Sequence, residues 1–145
     1  VTDMHTMFTQ CFSLASLDVS NFDTSNVTNM HYMFSSCRSL TNLDVRNFDT
    51  SNVTDMGGMF YGCEKLTDLD LRNFDTSQVT NMNAMFNSCS SLTNLDFRKA
   101  TFDKVTIYSG MFASVPSTLN IITKDATTKS WLEDKLGSNG TVTIA

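Results

Sequence analysis

A 26-residue unit is written five times along this chain of 145 residues, starting at Val1, Val27, Val53, Val79 and Val105. Each copy opens Val-Thr, and the first four share the frame V-T-x-M-x-x-M-F-x-x-C-x-x-L-x-x-L-D followed by an apolar residue. All 9 methionines fall in two columns: Met4, Met30, Met56 and Met82, then Met7, Met33, Met59, Met85 and Met111. The 4 cysteines, Cys11, Cys37, Cys63 and Cys89, share one column. A unit this short cannot bury its apolar face alone. Copies must stack so that each closes the core of its neighbour, and the expected object is a solenoid.

Two periods run inside each unit. Val27, Met30, Met33, Phe34 and Cys37 step by three or four, the spacing of one helical face. Leu43 and Val45 then alternate with Asp44 and Arg46, which predicts a short strand with one face buried. Asn47-Phe48-Asp49-Thr50-Ser51-Asn52 is turn-rich and supplies N-cap candidates. The unit therefore reads helix, strand, turn. From Leu40 the spacing L-x-x-L-x-V-x-x-F is that of a leucine-rich repeat, with Phe48 where Asn or Cys is usual. The expected fold class is α/β, a right-handed leucine-rich-repeat-like solenoid, its hand following the crossover rule.

The repeat region is expected over residues 1–122, and residues 123–145 are expected to close it within the same domain. The pattern decays after Lys99, with Ala100 standing where Phe22, Phe48 and Phe74 stand in earlier units. Leu119-Asn120-Ile121-Ile122 reads as the last full strand of the repeats. Asp125 can cap a helix over Ala126–Leu136 that ends at Gly137, and Thr141–Ile144 reads as a terminal strand. The N-terminus shows no such closure, and Val1 is not an initiator Met. Upstream repeats or a cap are therefore expected, and an open N-terminal face could pair two copies artificially.

V-T-N-M-x-x-M-F-x-x-C-x-x-L-T-x-L-D, continued by N-F-D-T-S-N, resembles the 26-residue bacterial surface-protein repeat of the BspA-like leucine-rich-repeat family, closely over residues 1–104 and loosely over 105–122. The resemblance implies an extracellular, cell-surface or secreted protein of bacteria or certain parasitic protists. It implies an adhesin associated with virulence, which binds a protein or glycoprotein on host cells or matrix and is not an enzyme. The ligand does not transfer, because repeat arrays diversify it at exposed positions.

Composition narrows the classes further. With 41% apolar and 17% charged residues the chain is not a disordered polyampholyte. No apolar run approaches the roughly 20 residues of a spanning helix, so no membrane insertion is expected. A net charge of −5 lacks the clustered cations that track phosphates, so no nucleic-acid partner is expected.

No metal or other cofactor is expected. The cysteines recur singly rather than in the C-x₂₋₄-C pairs of zinc sites, and they read as core thiols, with an inter-unit disulfide or metal binding as the lesser readings. His5 and His31 share a column without an evident partner and read as surface residues. Asp23, Asp49 and Asp75 read as Asx-turn and capping residues rather than calcium ligands.

The candidate binding surface lies on the outward strand positions. Asp18, Asp44, Asp70 and Asp96 form one column, and Ser20, Arg46, Arg72 and Arg98 another, two residues on. Asp44, Arg46, Asp70, Arg72, Asp96 and Arg98, with Asp68 on the same face, are the expected contact residues, because Arg offers planar hydrogen bonding repeated along a partner. The rival reading is a self-compensating solvated face on a passive spacer that projects other domains from the cell. A remote third is ice binding by the ladder Thr2, Thr28, Thr54, Thr80 and Thr106, though a turn intervenes before any second threonine on the same face.

Overall fold

A computed structural model describes residues 1–145 as a small mixed α/β structure with one parallel four-stranded sheet and one helix. The order along the sheet follows the chain: β1 (Asp68–Asp70), β2 (Asn94–Asp96), β3 (Asn120–Thr123) and β4 (Thr141–Ile144), with α1 (Ala126–Leu136) between β3 and β4. The register follows the sequence period. Leu69 lies beside Leu95 and Leu95 beside Ile121, each pair 26 residues apart. An isolated bridge, Ser16 to Asn42, is a shorter version of the same pairing in the first two units. A second line of parallel bridges runs through Asp3, Asn29, Asp55, Asn81 and Ile107.

The strand expectation holds in units three and four, whereas Leu43–Arg46 of unit two form no strand and keep only the bridge at Asn42. Leu69 and Leu71 are buried while Asp68 and Arg72 are exposed, and Leu95 and Phe97 repeat the buried pair in the next rung. Between the ladders the Phe8, Phe34, Phe60, Phe86 and Phe112 rings stack, with centroids 5.6, 5.8, 5.9 and 5.6 Å apart and planes within 10°. One continuous core joins Met4 to Val142.

The short helix expected in each unit is not there; α1 is the one helix, and the M-x-x-M-F-x-x-C segments are runs of turns. The backbone shows why. Thr6, Tyr32, Gly58, Ala84 and Gly110 all have φ between 53 and 64°. Four residues further on, Gln10, Ser36, Gly62, Ser88 and Ser114 have φ between 57 and 69°. A left-handed residue every fourth position stops an α-helix from propagating.

The hydrogen bonds are redistributed accordingly. Met30, Tyr32, Phe34 and Ser36 donate their N–H groups to the carbonyls of Asp55, Gly57, Met59 and Tyr61 in the next unit, at 2.9, 2.9, 2.9 and 2.6 Å. The alternate residues Met33, Ser35 and Cys37 donate three residues back. Consecutive four-residue turns place Met30, Met33, Phe34 and Cys37 inward just as a helix would, so the apolar spacing alone does not separate the two.

The closing helix and terminal strand have the expected bounds, whereas the strand read over 119–122 is shifted by one residue, to Asn120–Thr123. Asp125 accepts from Thr128 N–H at 2.8 Å, and the Thr128 hydroxyl returns to the Asp125 backbone, completing a capping box. Gly137 ends α1 at φ 61°, a conformation that favours glycine. Leu132 and Leu136 are buried, Trp131 stacks on Phe102 at 4.2 Å, and Lys129 Nζ donates to the Val142 carbonyl at 2.7 Å. No helix is long and apolar enough to cross a membrane.

The cysteines are free thiols, and the Sγ–H groups of Cys37, Cys63 and Cys89 donate to the carbonyls of Phe8, Phe34 and Phe60 in the preceding unit, at 3.2, 3.2 and 3.1 Å. Burial pushes Cys37 up to about 11 and Cys89 up to about 12, and raises Cys63 as well. The half-buried Cys11 should therefore be the one thiol that a disulfide reagent titrates quickly in the native chain near neutral pH, with the other three reacting only on unfolding. Because the folded values lie above the ordinary 9.0, the stability tied to these thiols is complete below that pH and is lost as pH rises from there towards 11.

Candidate functional site

The strand face carries the expected charged columns as three pairs. Each Asp is bound by the Arg two residues on, which stands in the turn that follows, so that the carboxylate accepts from both the side chain and the backbone N–H in Asx-turn geometry. Arg46 Nε and Nη2 donate to Asp44 at 2.9 and 2.7 Å. Arg72 makes the same two contacts to Asp70 at 2.9 and 2.8 Å, and Arg98 to Asp96 at 3.0 and 2.6 Å. The backbone N–H of each Arg adds a third bond to the same carboxylate, at 3.1 to 3.2 Å. A weaker contact, Arg72 Nε to Asp96 at 3.9 Å, couples neighbouring rungs.

Burial is graded along the column. The carboxylate side chains are 57, 31 and 11% exposed for Asp44, Asp70 and Asp96, whereas the guanidinium side chains stay 58, 49 and 44% exposed. Arginine is thus the more exposed member of the Asp70 and Asp96 pairs, while Asp44 and Arg46 are exposed alike.

The Arg46 guanidinium, followed by its backbone N–H, pulls the Asp44 carboxyl down to about 2. At Asp70 burial works upward, but the bonds from Arg72 outweigh it and the carboxyl is lowered. Each Asp raises its Arg in turn. The sign for stability follows: Asp44 contributes fully above its ordinary value of 3.8, and the contribution is lost as pH falls towards 2. The pair is half-exposed, so this contribution is small and salt weakens it. In an NMR pH titration Asp44 should titrate well below an ordinary aspartate, and Arg46→Ala should move it back towards 3.8.

Two grooves flank Arg46. One of about 440 Å³ is lined by Ser20, Asp44, Arg46, Asn47, Arg72 and Asn73, and one of about 270 Å³ by Asn42, Leu43, Asp44, Arg46, Asp68 and Asp70. Of the expected residues, the structure gathers Asp44, Arg46 and Arg72 at the first groove and Asp44, Arg46, Asp68 and Asp70 at the second, while Asp96 and Arg98 line neither. Asp68 does not pair with arginine; it accepts from Thr67 at 2.8 Å and from Asn94 at 2.7 Å. The largest concavity, about 550 Å³, lies elsewhere, between Tyr108–Ala113 and Asp134, Lys135 and Asn139, and shows no repeated chemistry.

Sequence reasoning missed Asn47 and Asn73, which it read only as turn residues. Asn73 Nδ2 donates to the Arg46 carbonyl at 3.0 Å, and Asn47 Nδ2 to the Val19 and Ser20 carbonyls at 3.1 Å, so both fix the groove floor. Their recurrence one residue after Arg46 and Arg72 was the available signal. It also missed the histidine partners: His5 Nδ1 meets Asp3 at 2.8 Å, and His31 Nδ1 meets Asp55 at 2.9 Å across the gap between units.

A family model described as "Mycoplasma protein of unknown function, DUF285" matches residues 2–124, spanning every strand-face residue described above. The chain belongs to this DUF285 family. No curated protein and no solved structure matches it. The matched span stops just before α1, so the helix and β4 that close the sheet lie outside it.

Other repeated polar columns of the DUF285 chain are spent within the fold. Thr28, Thr54 and Thr80 donate their hydroxyls to the Thr carbonyls 26 residues earlier, at 3.2 to 3.3 Å. Thr24 and Thr50 donate to the carbonyls of Asp49 and Asp75, at 3.1 and 3.0 Å, and accept from the same residues' N–H groups at 2.8 Å. Asp23, Asp49 and Asp75 accept from the N–H two residues on, the Asx-turn geometry.

Proposed function

We propose that this chain is a surface-displayed or secreted recognition module, a right-handed five-unit solenoid of the BspA-like leucine-rich-repeat kind, which binds a protein or glycoprotein ligand through its strand face and performs no catalysis. The observation that supports this reading is the Asp–Arg ladder. The same pair recurs at the pitch of one 26-residue unit, with the guanidinium more exposed than the carboxylate in the second and third pairs and two grooves flanking Arg46. Such a surface repeats one hydrogen-bonding pattern along an extended partner.

The pairing also favours a second reading. Each guanidinium already spends two donors on its own carboxylate, so the face is self-neutralised and fits a passive spacer that projects other domains.

Binding of the purified chain to a panel of immobilised matrix proteins and cell-surface extracts separates the two, run beside the folded variant Arg46→Ala/Arg72→Ala/Arg98→Ala. Saturable binding that the variant loses supports recognition by the strand face. Binding that it retains moves the site to another face. No binding by either chain favours the spacer.

A further inference from the structure

The sixth position of every unit is held in left-handed backbone, and glycine occupies it without steric conflict in units three and five, as Gly58 and Gly110. Unit two places Tyr32 there, at φ 53°, the bulkiest occupant of the column. The next unit accommodates it. A Cβ on Gly58 would run into the Tyr32 ring, and a Cβ on Gly57 would sit 2.7 Å from His31 Nδ1. The pair Gly57-Gly58 is thus a slot beneath the rings of His31 and Tyr32. The repeat frame requires neither the tyrosine nor the slot.

Three rings converge above it. His31 meets Tyr32 edge-on at 4.2 Å, and Tyr61 stands at 87° to Tyr32 with centroids 6.4 Å apart. Tyr61 is 37% exposed, and His31 and Tyr32 are half-buried. Asp55 organises the floor: it accepts from His31 Nδ1 at 2.9 Å, Gly57 N–H at 2.8 Å, and Asn81 Nδ2 at 3.1 and 3.2 Å. A carboxylate only accepts, so His31 carries a proton on Nδ1, and Nε2 of the neutral ring is left as an acceptor.

We propose that His31, Tyr32 and Tyr61 form a binding site for a neutral saccharide, separate from the Asp–Arg ladder. The C–H face of a sugar ring packs on the tyrosines, and its hydroxyls reach His31 Nε2 and the phenol oxygens, which together accept and donate. A cationic ligand fits less well, because the charge of Asp55 is engaged by four hydrogen bonds within the chain.

The test is an NMR titration of the intact chain with chitotriose, mannotriose and lactose, with tetramethylammonium chloride as the cationic probe. One saccharide should shift the ring signals of His31, Tyr32 and Tyr61 saturably at millimolar concentration. Tyr32→Gly should weaken that binding about tenfold or more, with the thermal midpoint unchanged or raised because left-handed strain is relieved. Tyr61→Ala alters an exposed side chain and gives the same reading should Tyr32→Gly fail to fold. The proposal is overturned if no saccharide shifts these rings, if only tetramethylammonium does, or if both variants bind as the parent chain does.

Discussion

Phe60→Ala should cost about 3–5 kcal/mol, a large part of the 5–15 kcal/mol by which domains of this kind are stable. Phe60 is fully buried and stacked between Phe34 and Phe86 at 5.8 and 5.9 Å. Truncation loses the transfer energy of the ring and leaves a cavity walled by two aromatic faces. Those walls cannot close on it. The rungs are pinned by Phe34 N–H to the Met59 carbonyl at 2.9 Å and Phe60 N–H to the Met85 carbonyl at 3.0 Å. Phe8→Ala provides the comparison, because Phe8 is only half-buried at one end of the stack and leaves no enclosed void. Urea unfolding of both variants should give a loss at Phe60 at least about twice that at Phe8. Equal losses would show that the stack relaxes freely and that the pinned-rung account is wrong.

Removing Asp125–Ala145 should have a larger effect still. Those residues supply β4, which pairs with β3 from Asn120↔Thr141 to Thr123↔Ile144, and the buried side chains Leu132, Leu136 and Val142. Without them β3 becomes an open parallel edge beside an uncovered core, a template for pairing with another chain. The shortened chain is expected to elute as oligomers, bind a hydrophobic dye and lose its sharp thermal transition. A monomer that melts cooperatively at the parent temperature would show that the repeats close themselves. The family match ends at residue 124, so sequence similarity covers the repeats while the element that shields their last face lies beyond it.

Much of the fold was legible because one period forces it. Every residue of the Phe column, Phe34 to Phe112, was bound to meet its copy 26 residues away, and the structure stacks them so. The bounds of α1 were legible because its signals are local: Asp125 accepts from Thr128, and Gly137 takes φ 61°. The Asp–Arg pairs were legible for the same reason, since the two residues are near neighbours in the chain.

What stayed hidden depends on contacts between rungs. The three-and-four spacing of Met30, Met33, Phe34 and Cys37 is common to a helix and to successive turns. Only the hydrogen bonds to Asp55, Gly57, Met59 and Tyr61 decide for turns. A left-handed backbone was signalled by Gly58, Gly62 and Gly110 but masked by Tyr32, Ser36 and Ala84 in the same columns. The partner of His31 is Asp55, 24 residues on, and the slot for Tyr32 is the glycine pair of the following unit. The sequence by itself determined the period, the buried columns and the closing helix, because these follow from repetition and near-neighbour chemistry. The tertiary structure alone decided the path of the turn side and which polar groups it brings together. There each backbone N–H chooses between its own unit and the next, and that choice exists only once the units are stacked.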